Sequence, residues 1–341
     1  MDYVVYAAEQ ALESHGVRGA RIEDSRVGAM MYTGFTINKL RAVARTGESY
    51  LVSVNSPHAS VRPHVRIDDK LGIIRSHLLW LESLARGSGI AVQAPVRNRD
   101  HDLVTFVDAP GEDPRTACTV VKWVDGGELH GEDEEPPSPD VAERMGVLLA
   151  RLHVHAAEWE MPADFKRHRH GLARITKSFG RLRRMVDGGQ LSRDHHDRLT
   201  AVRERIDETV TALGESRAVW GVTHGDFHSG NCVIHEGGVR PIDFDFCYLG
   251  HYMRDIAYCF TLVTSGDEER DGGFRSAFWH GYVSTRSVSE LEREALEAYT
   301  IEVGVDFWGE RPSDDDGRTA LATLAESPCD AFLNGRRHLS I

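Results

Sequence analysis

A chain of 341 residues can build two domains or one large two-lobed unit, and its 41% apolar and 27% charged content is that of an ordinary globular enzyme. The formal net charge of −13 argues against nucleic acid as the main partner, because a phosphate backbone demands clustered Lys and Arg. It fits a cationic substrate, although many acidic proteins bind nothing cationic. The five cysteines (Cys118, Cys232, Cys247, Cys259, Cys329) are scattered and form no C-x-x-C pair, a pattern of reduced thiols without a zinc ribbon or disulfide framework. The opening "MDYVVYAAEQ" lacks the basic and apolar regions of a signal peptide. No apolar run approaches the roughly 20 residues needed to span a bilayer. A cytoplasmic protein without a membrane partner is expected.

Residues 3–15 read as a short helix. From about 27 to 54 the texture changes to strands, "VGAMMYTGF", "KLRAVA" and, after the turn signal "RTGE", "SYLVSV". "DKLGIIRSHLLWLESLA" at 69–85 sets Ile73, Ile74, His77, Leu78, Leu81 and Leu84 at helical spacing. "DLVTFVDA" and "TACTVVKWV" add two strands, so the first part makes a small sheet with one packed helix. The stretch 125–140, "DGGELHGEDEEPPSPD", has no apolar periodicity and reads as a surface loop and lobe boundary. Its acids are either solvated or an acidic rim facing substrate. From Pro139 the chain turns helical, with Val141, Met145, Leu148, Leu149, Leu152 and Trp159 in one stripe and Ser138 or Asp140 as N-cap. Further helix is expected over 171–214, 288–300 and 318–334, and "HRH" at 168–170 and "HH" at 195–196 read as exposed helical residues. The expected organisation is an N-lobe over 1–123 and a C-lobe over 124–341.

The chemistry concentrates in "THGDFHSGN" at 223–231 and the residues that follow it. His224 and His228 are four apart, as in the zinc motif H-E-x-x-H, but that motif needs a helix and a Glu after the first His, and here Gly225 follows. Phosphoryl transfer uses more of the residues. Asp226 and Asn231 are five apart, the spacing of base and metal-binding amide in H-R-D-x-x-x-x-N. Twelve residues further on, Asp243 sits in "PIDFDFC". The intervening "CVIHEGGVRPIDF" reads as a hairpin that returns Asp243 toward Asn231, so that one carboxylate and one amide can share a hard cation.

On these residues, "HGDFHSGN…RPIDFDFCYLGHYMRDIAY" resembles the aminoglycoside phosphotransferase and choline kinase-like superfamily, and its tail is similar to the branch around a bacterial stress-response Ser/Thr kinase. "VVKWVDGGEL" resembles the family's hinge strand, "LLARLHVHAAEW" the helix after it, and "FLNG" also matches. The resemblance implies an α+β, bilobal protein-kinase-like fold with a sheet-plus-helix N-lobe and a mainly helical C-lobe. It implies ATP as phosphoryl donor and Mg²⁺ as cofactor. It makes Asp226 the catalytic base, Asn231 and Asp243 the Mg²⁺ ligands, and His224 a structural residue whose ring bonds backbone. Residues 121–125, with Lys122, Trp123 and Val124 at their centre, would meet the adenine edge. Asp255 would either brace the catalytic loop or act as a plain N-cap, Asp245 would add a contact near the metal, and His228 would face substrate or pack.

The sequence departs from this family in one place. A basic residue on the third strand normally grips the α- and β-phosphates and pairs with a Glu on the next helix; here Ser53 and His77 stand at those positions. Losing both together is coherent, since a Glu left alone would be an unpaired anion beside phosphates. Either His77 supplies the cation itself, or Lys39, Lys70 or Arg75 does, or nucleotide binding is lost and the chain is a pseudokinase that binds a protein partner. The expected function is transfer of the γ-phosphoryl of Mg·ATP to a hydroxyl of a small molecule or a peptide Ser/Thr. The Gly28…Gly34 segment reads as a phosphate-covering loop or a plain turn.

Overall fold

Apolar residues two apart along the strands of the N-terminal region sort onto one face of a sheet, and that face needs a cover. The computed structural model describes residues 3–32, 35–57, 67–108, 116–129, 136–263, 267–310 and 315–341. The chain divides into two units, residues 1–125 with 160–167 and residues 126–159 with 168–341.

The first unit contains α1 (Tyr3–Ser14), β1 (Arg21–Tyr32), β2 (Phe35–Val43), β3 (Ser49–Pro57), α2 (Ile67–Gly87), β4 (Thr105–Val107) and β5 (Thr116–Lys122). Among the described residues the strands form one sheet in the order β1-β2-β3-β5-β4, with antiparallel pairing throughout. In α1, Val4, Ala7, Ala8, Ala11 and Leu12 recur at helical spacing and are buried. They pack on Leu40, Ala42, Val52, Val54, Cys118 and Val120, which share one sheet face. Each Val or Leu among them, once removed from water, contributes about 1.5–3 kcal/mol. The opposite face carries the row Lys39–Ser53–Thr119, aligned by register across β2, β3 and β5. The eight residues 160–167 also belong to this unit: Lys166 N–H donates to Ser76 Oγ at 2.7 Å and Arg167 to the Ile73 carbonyl at 3.1 Å.

The second unit runs β6 (Gly127–Glu128), α3 (Pro139–Glu158), β7 (Arg169–His170), α4 (Leu172–Gly180), α5 (Leu182–Asp187), α6 (Arg193–Leu213), β8 (Trp220–Thr223), β9 (Cys232–His235), β10 (Gly238–Pro241), β11 (Tyr248–His251), α7 (Tyr252–Thr261), α8 (Glu268–Thr285), α9 (Glu290–Trp308), α10 (Asp315–Ala325) and α11 (Ser327–Leu333). Its described strands form two small sheets, β10-β9-β6 and β7-β11-β8. Ser138 is the N-cap of α3 by position, yet its side chain makes no capping bond; Pro139 at the first turn sets the start instead. The "HRH" stretch is not helical as expected. Arg169–His170 is a short strand parallel to β11, and His170 stacks on Tyr248 at 3.8 Å. Of the segment considered as a phosphate cover, Gly28 lies in β1 and residues 33–34 fall outside the described residues.

Helix α8 carries three glycines, which weaken an isolated helix by about 1 kcal/mol each relative to Ala. Packing against α3 explains one of them. A Cβ on Gly281 would sit 2.0 Å from the Glu143 carbonyl oxygen, and a Cβ on Gly146 in α3 would sit 1.9 Å from that of Phe278. The two backbones touch at these points, so a methyl group has no room on either side. Gly281→Ala is expected to lower the thermal midpoint by several degrees, read by calorimetry, whereas Gly273→Ala, with open space at its Cβ, leaves it unchanged or raises it.

Candidate active site

The 223–231 loop leaves β8 at Thr223 and is fixed by α7. Asp255, in the first turn of that helix, accepts the backbone N–H groups of His224 and Gly225, both at 2.8 Å. The helix is capped by position at His251, so Asp255 serves the loop rather than its own helix. A neutral His153 on α3 donates from Nε2 to Asp255 at 3.2 Å, and its Nδ1 accepts from the Tyr282 hydroxyl at 2.8 Å. Asp255, His153 and His224 are all fully buried. Burial disfavours the Asp255 anion, but the hydrogen bonds from His153 and the loop backbone outweigh it and hold its pKa below the ordinary carboxylate value. Burial pulls His153 down, consistent with its neutral form.

His224 takes the structural place expected of it. Its Nε2 donates to the Ile242 carbonyl at 3.0 Å, and its ring lies between Phe227 (5.5 Å) and Phe244 (4.5 Å). Gly225 is required because its φ is +83° and a Cβ there would lie 2.3 Å from the Phe246 carbonyl oxygen. His228 closes the following 3₁₀ turn, its Nδ1 accepting from Gly230 N–H at 3.1 Å. Both imidazoles of the loop are thus committed to backbone.

On this sealed scaffold Asp226, Asn231 and Asp243 are only half-buried. Asn231 Nδ2 donates to the Asp226 carbonyl at 2.9 Å and to its Oδ2 at 2.8 Å. That orientation turns the Asn231 amide oxygen away from Asp226. The β9–β10 hairpin turns at Glu236–Gly237, both with positive φ as a type I′ turn requires. Its far end closes with Ile242 N–H donating to the Asn231 carbonyl at 2.9 Å, which sets Asp243 beside Asn231. Asp243 itself is left-handed, φ 63° and ψ 66°, a conformation costing about 1–3 kcal/mol in a non-glycine residue. One carboxylate and one amide oxygen suit a small hard cation that keeps waters and phosphate oxygens in its shell. Asp245 follows, half-buried, in the 3₁₀ turn Phe244–Phe246.

Two neighbours of the site went unread in the sequence. Tyr258, one helical turn beyond Asp255, is half-buried, and its burial together with the charge of nearby Asp226 pushes its pKa up. Arg254 is buried and donates to Glu302 (2.8 Å), Asp306 (3.0 Å) and the Tyr248 hydroxyl (3.1 Å), tying α7 to α9. The Arg254 guanidinium, with Arg174, brings Asp306 down to about 2 against the opposing effect of burial. Acids four apart in the otherwise uncharged second half of α9, Glu302 and Asp306, were the available signal.

In the first unit, Lys122 N–H donates to the Ala94 carbonyl at 2.8 Å and Trp123 N–H to that of Ser49 at 2.9 Å. Both donors are therefore used within the unit. Val124 is buried, and Arg41 lies over the Trp123 ring at 4.7 Å. His77 is buried on α2. Of the alternative bases, Arg75 pairs with Asp102 through Nε at 3.1 Å, and the side chain of Lys70 lies outside the described residues. Lys39 is 8% exposed and directly opposite Ser53 in the β2–β3 register.

Residues 74–296 match the phosphotransferase enzyme family, and the chain belongs to it. It is similar to homoserine kinase of Neisseria meningitidis serogroup B, 26% identical over 225 residues that span 65% of this chain and 66% of that one. Among solved structures, a microcompartment-associated aminopropanol kinase (TM-score 0.67, 19% identity, 96% of each chain) and an amicoumacin kinase in complex with AMP-PNP and Ca²⁺ (TM-score 0.67, 17% identity, 97% and 96%) share the fold. That fold is the α+β, protein-kinase-like one expected from the sequence. Among the described residues no helix is long and apolar enough to cross a membrane, and all five cysteines are free and buried.

Replacing Asp255 by Asn should lower stability at neutral pH by about 2–4 kcal/mol, since two buried N–H groups lose a charged acceptor. Because the folded pKa of Asp255 is depressed, its contribution is present above the unfolded value near about 3.9 and fades as pH falls through the folded value. The gap between wild type and Asp255→Asn in denaturant midpoint should therefore narrow steadily below about pH 4.

Proposed function

We propose that this chain transfers the γ-phosphoryl group of Mg·ATP to the hydroxyl of a small molecule, with Asp226 as the base. The observation that carries this is the pair of hydrogen bonds from Asn231 to Asp226, which orders the base and leaves an amide oxygen beside Asp243. Asp226 orients the acceptor hydroxyl and takes its proton as the oxygen attacks phosphorus. Asn231, through its amide oxygen, and Asp243 hold the cation, which neutralises charge on the phosphates when bound. No other side chain need react, so the loop's task is positioning. The relatives named for homoserine, aminopropanol and amicoumacin favour a small amino-alcohol over a peptide Ser/Thr as acceptor. A net charge of −13 agrees with a cationic acceptor.

In this reading the missing strand-three base is made good by Lys39. Its place opposite Ser53, on the face that α1 leaves uncovered, puts an ammonium one strand from where the family carries its basic residue. His77 remains the second candidate. The adenine edge would be met by carbonyls of 122–124 and by the N–H of Val124, since the Lys122 and Trp123 donors are used. The protein-binding pseudokinase is the alternative, and an intact Asp226, Asn231 and Asp243 speak against it.

Calorimetric titration with Mg·ATP, followed by an ADP-release screen over amino-alcohols, tests the proposal. Wild type should bind nucleotide, and Asp226→Asn should bind equally well while losing about 10²–10⁴-fold in turnover. No binding by wild type would overturn the kinase reading. Lys39→Ala is expected to weaken Mg·ATP binding by at least about tenfold, with a smaller effect from His77→Ala; the reverse order would return the role to His77.

A further inference from the structure

We infer that His228 is a second catalytic residue: its Nε2–H and Asp226 Oδ1 together seat the acceptor's hydroxyl oxygen, in a place that takes a hydroxyl and refuses an ammonium; this rests on the phosphotransferase reading above. The backbone uses only one nitrogen of this ring. Gly230 N–H donates to Nδ1 at 3.1 Å, so Nδ1 carries no proton and the neutral ring keeps its proton on Nε2. Nε2 in turn lies 3.7 Å from Asp226 Oδ1. That separation is too long for a hydrogen bond between them, yet a single oxygen about 2.8 Å from each would span it. The other carboxylate oxygen, Oδ2, already accepts from Asn231 Nδ2 at 2.8 Å, which leaves Oδ1 for the acceptor. Both side chains reach the surface, His228 30% and Asp226 19% exposed, so an acceptor can arrive from solvent. One residue fixes both walls of the seat. Asn231 holds Asp226 through its side chain, and its backbone N–H donates to the His228 carbonyl at 2.9 Å.

The two walls differ in polarity, and that sets what fits. Nε2–H only donates and an ionised Asp226 only accepts, so the group between them must accept from one and donate to the other. A hydroxyl does both. An ammonium has donors alone and would set its N–H against Nε2–H. An amino-alcohol therefore enters the seat by its oxygen, although the chain's net charge of −13 attracts its cationic end. In the transfer step the hydroxyl proton passes to Asp226 Oδ1, and a lone pair on the same oxygen forms the new bond to the γ-phosphorus. The bond from that phosphorus to the bridging oxygen breaks, and its electron pair leaves with ADP. His228 keeps its proton throughout and steadies the charge that builds on the attacking oxygen.

Two substitutions divide the nitrogens of the ring. His228→Asn keeps an acceptor where Nδ1 stands and removes the group at Nε2, whereas His228→Gln keeps an N–H near the Nε2 position and removes the acceptor for Gly230. Both are assayed by ADP release with ethanolamine, homoserine and aminopropanol as acceptors. If Nε2 seats the hydroxyl, His228→Asn lowers kcat/KM for the alcohol by at least about tenfold, while its affinity for Mg·ATP and its thermal midpoint stay at wild-type values. His228→Gln should be the more active of the two despite a lower midpoint, since it loses the bond to the turn. Wild-type kcat/KM in His228→Asn, or a His228→Gln no more active than His228→Asn, would make the ring a brace for the turn alone and overturn the inference. A wild type that transfers phosphoryl to none of these acceptors would overturn the phosphotransferase reading as well, an outcome distinct from an active wild type with an unimpaired His228→Asn variant.

Discussion

A single buried carboxylate, that of Asp255, holds the site together. It receives two backbone N–H groups from the loop and one side-chain donor from α3, so three separate elements meet on two oxygens. An anion without exposure survives only when its acceptor sites are filled, and here the filling groups are the loop to be positioned. The same helix then projects Arg254 into the acids of α9 on another side. The loop's geometry is therefore inherited from the helical body of its unit rather than from the loop's own sequence.

This arrangement separates rigidity from reactivity. Thr223, His224 and Phe227 are fully buried and interleave with Asp226 and Asn231, which keep part of their surface open. Strain sits at the same place: Gly225 and Asp243 are both left-handed, one free of penalty and one not. A residue held in a costly conformation beside an ordered amide fits a site preorganised for a cation. The unit's aromatic residues seal the scaffold beneath, with His224 wedged between Phe227 and Phe244.

Much of this was legible in the residues, because it is local. The spacing of Asp226, Asn231 and Asp243 and the Gly-containing hairpin between them are set within twenty residues, and the chain folds there as its pattern says. Periodicity also found α1, α2, α3 and the start of α9. It failed where context overrides propensity. Helix α8 escaped notice because its glycines count against a helix, although Gly281 is what lets α8 lie against the α3 backbone. Residues 168–170 looked helical by composition, but pairing with β11, which lies some eighty residues on, made 169–170 a strand. The return of 160–167 to the first unit left no compositional mark at all.

The sequence by itself determined the family and the spacing of Asp226, Asn231 and Asp243, since motif spacing along a hairpin is a one-dimensional property. Only the tertiary structure decided what surrounds those residues. Asp255 could have been a plain cap, and it became the loop's anchor because β8 and α7 come together. Tyr258 comes near the Asp226 charge across thirty-two positions of sequence, a proximity no local pattern encodes. Strand pairing set Lys39 beside Ser53, because register, not sequence distance, decides which side chains share a row.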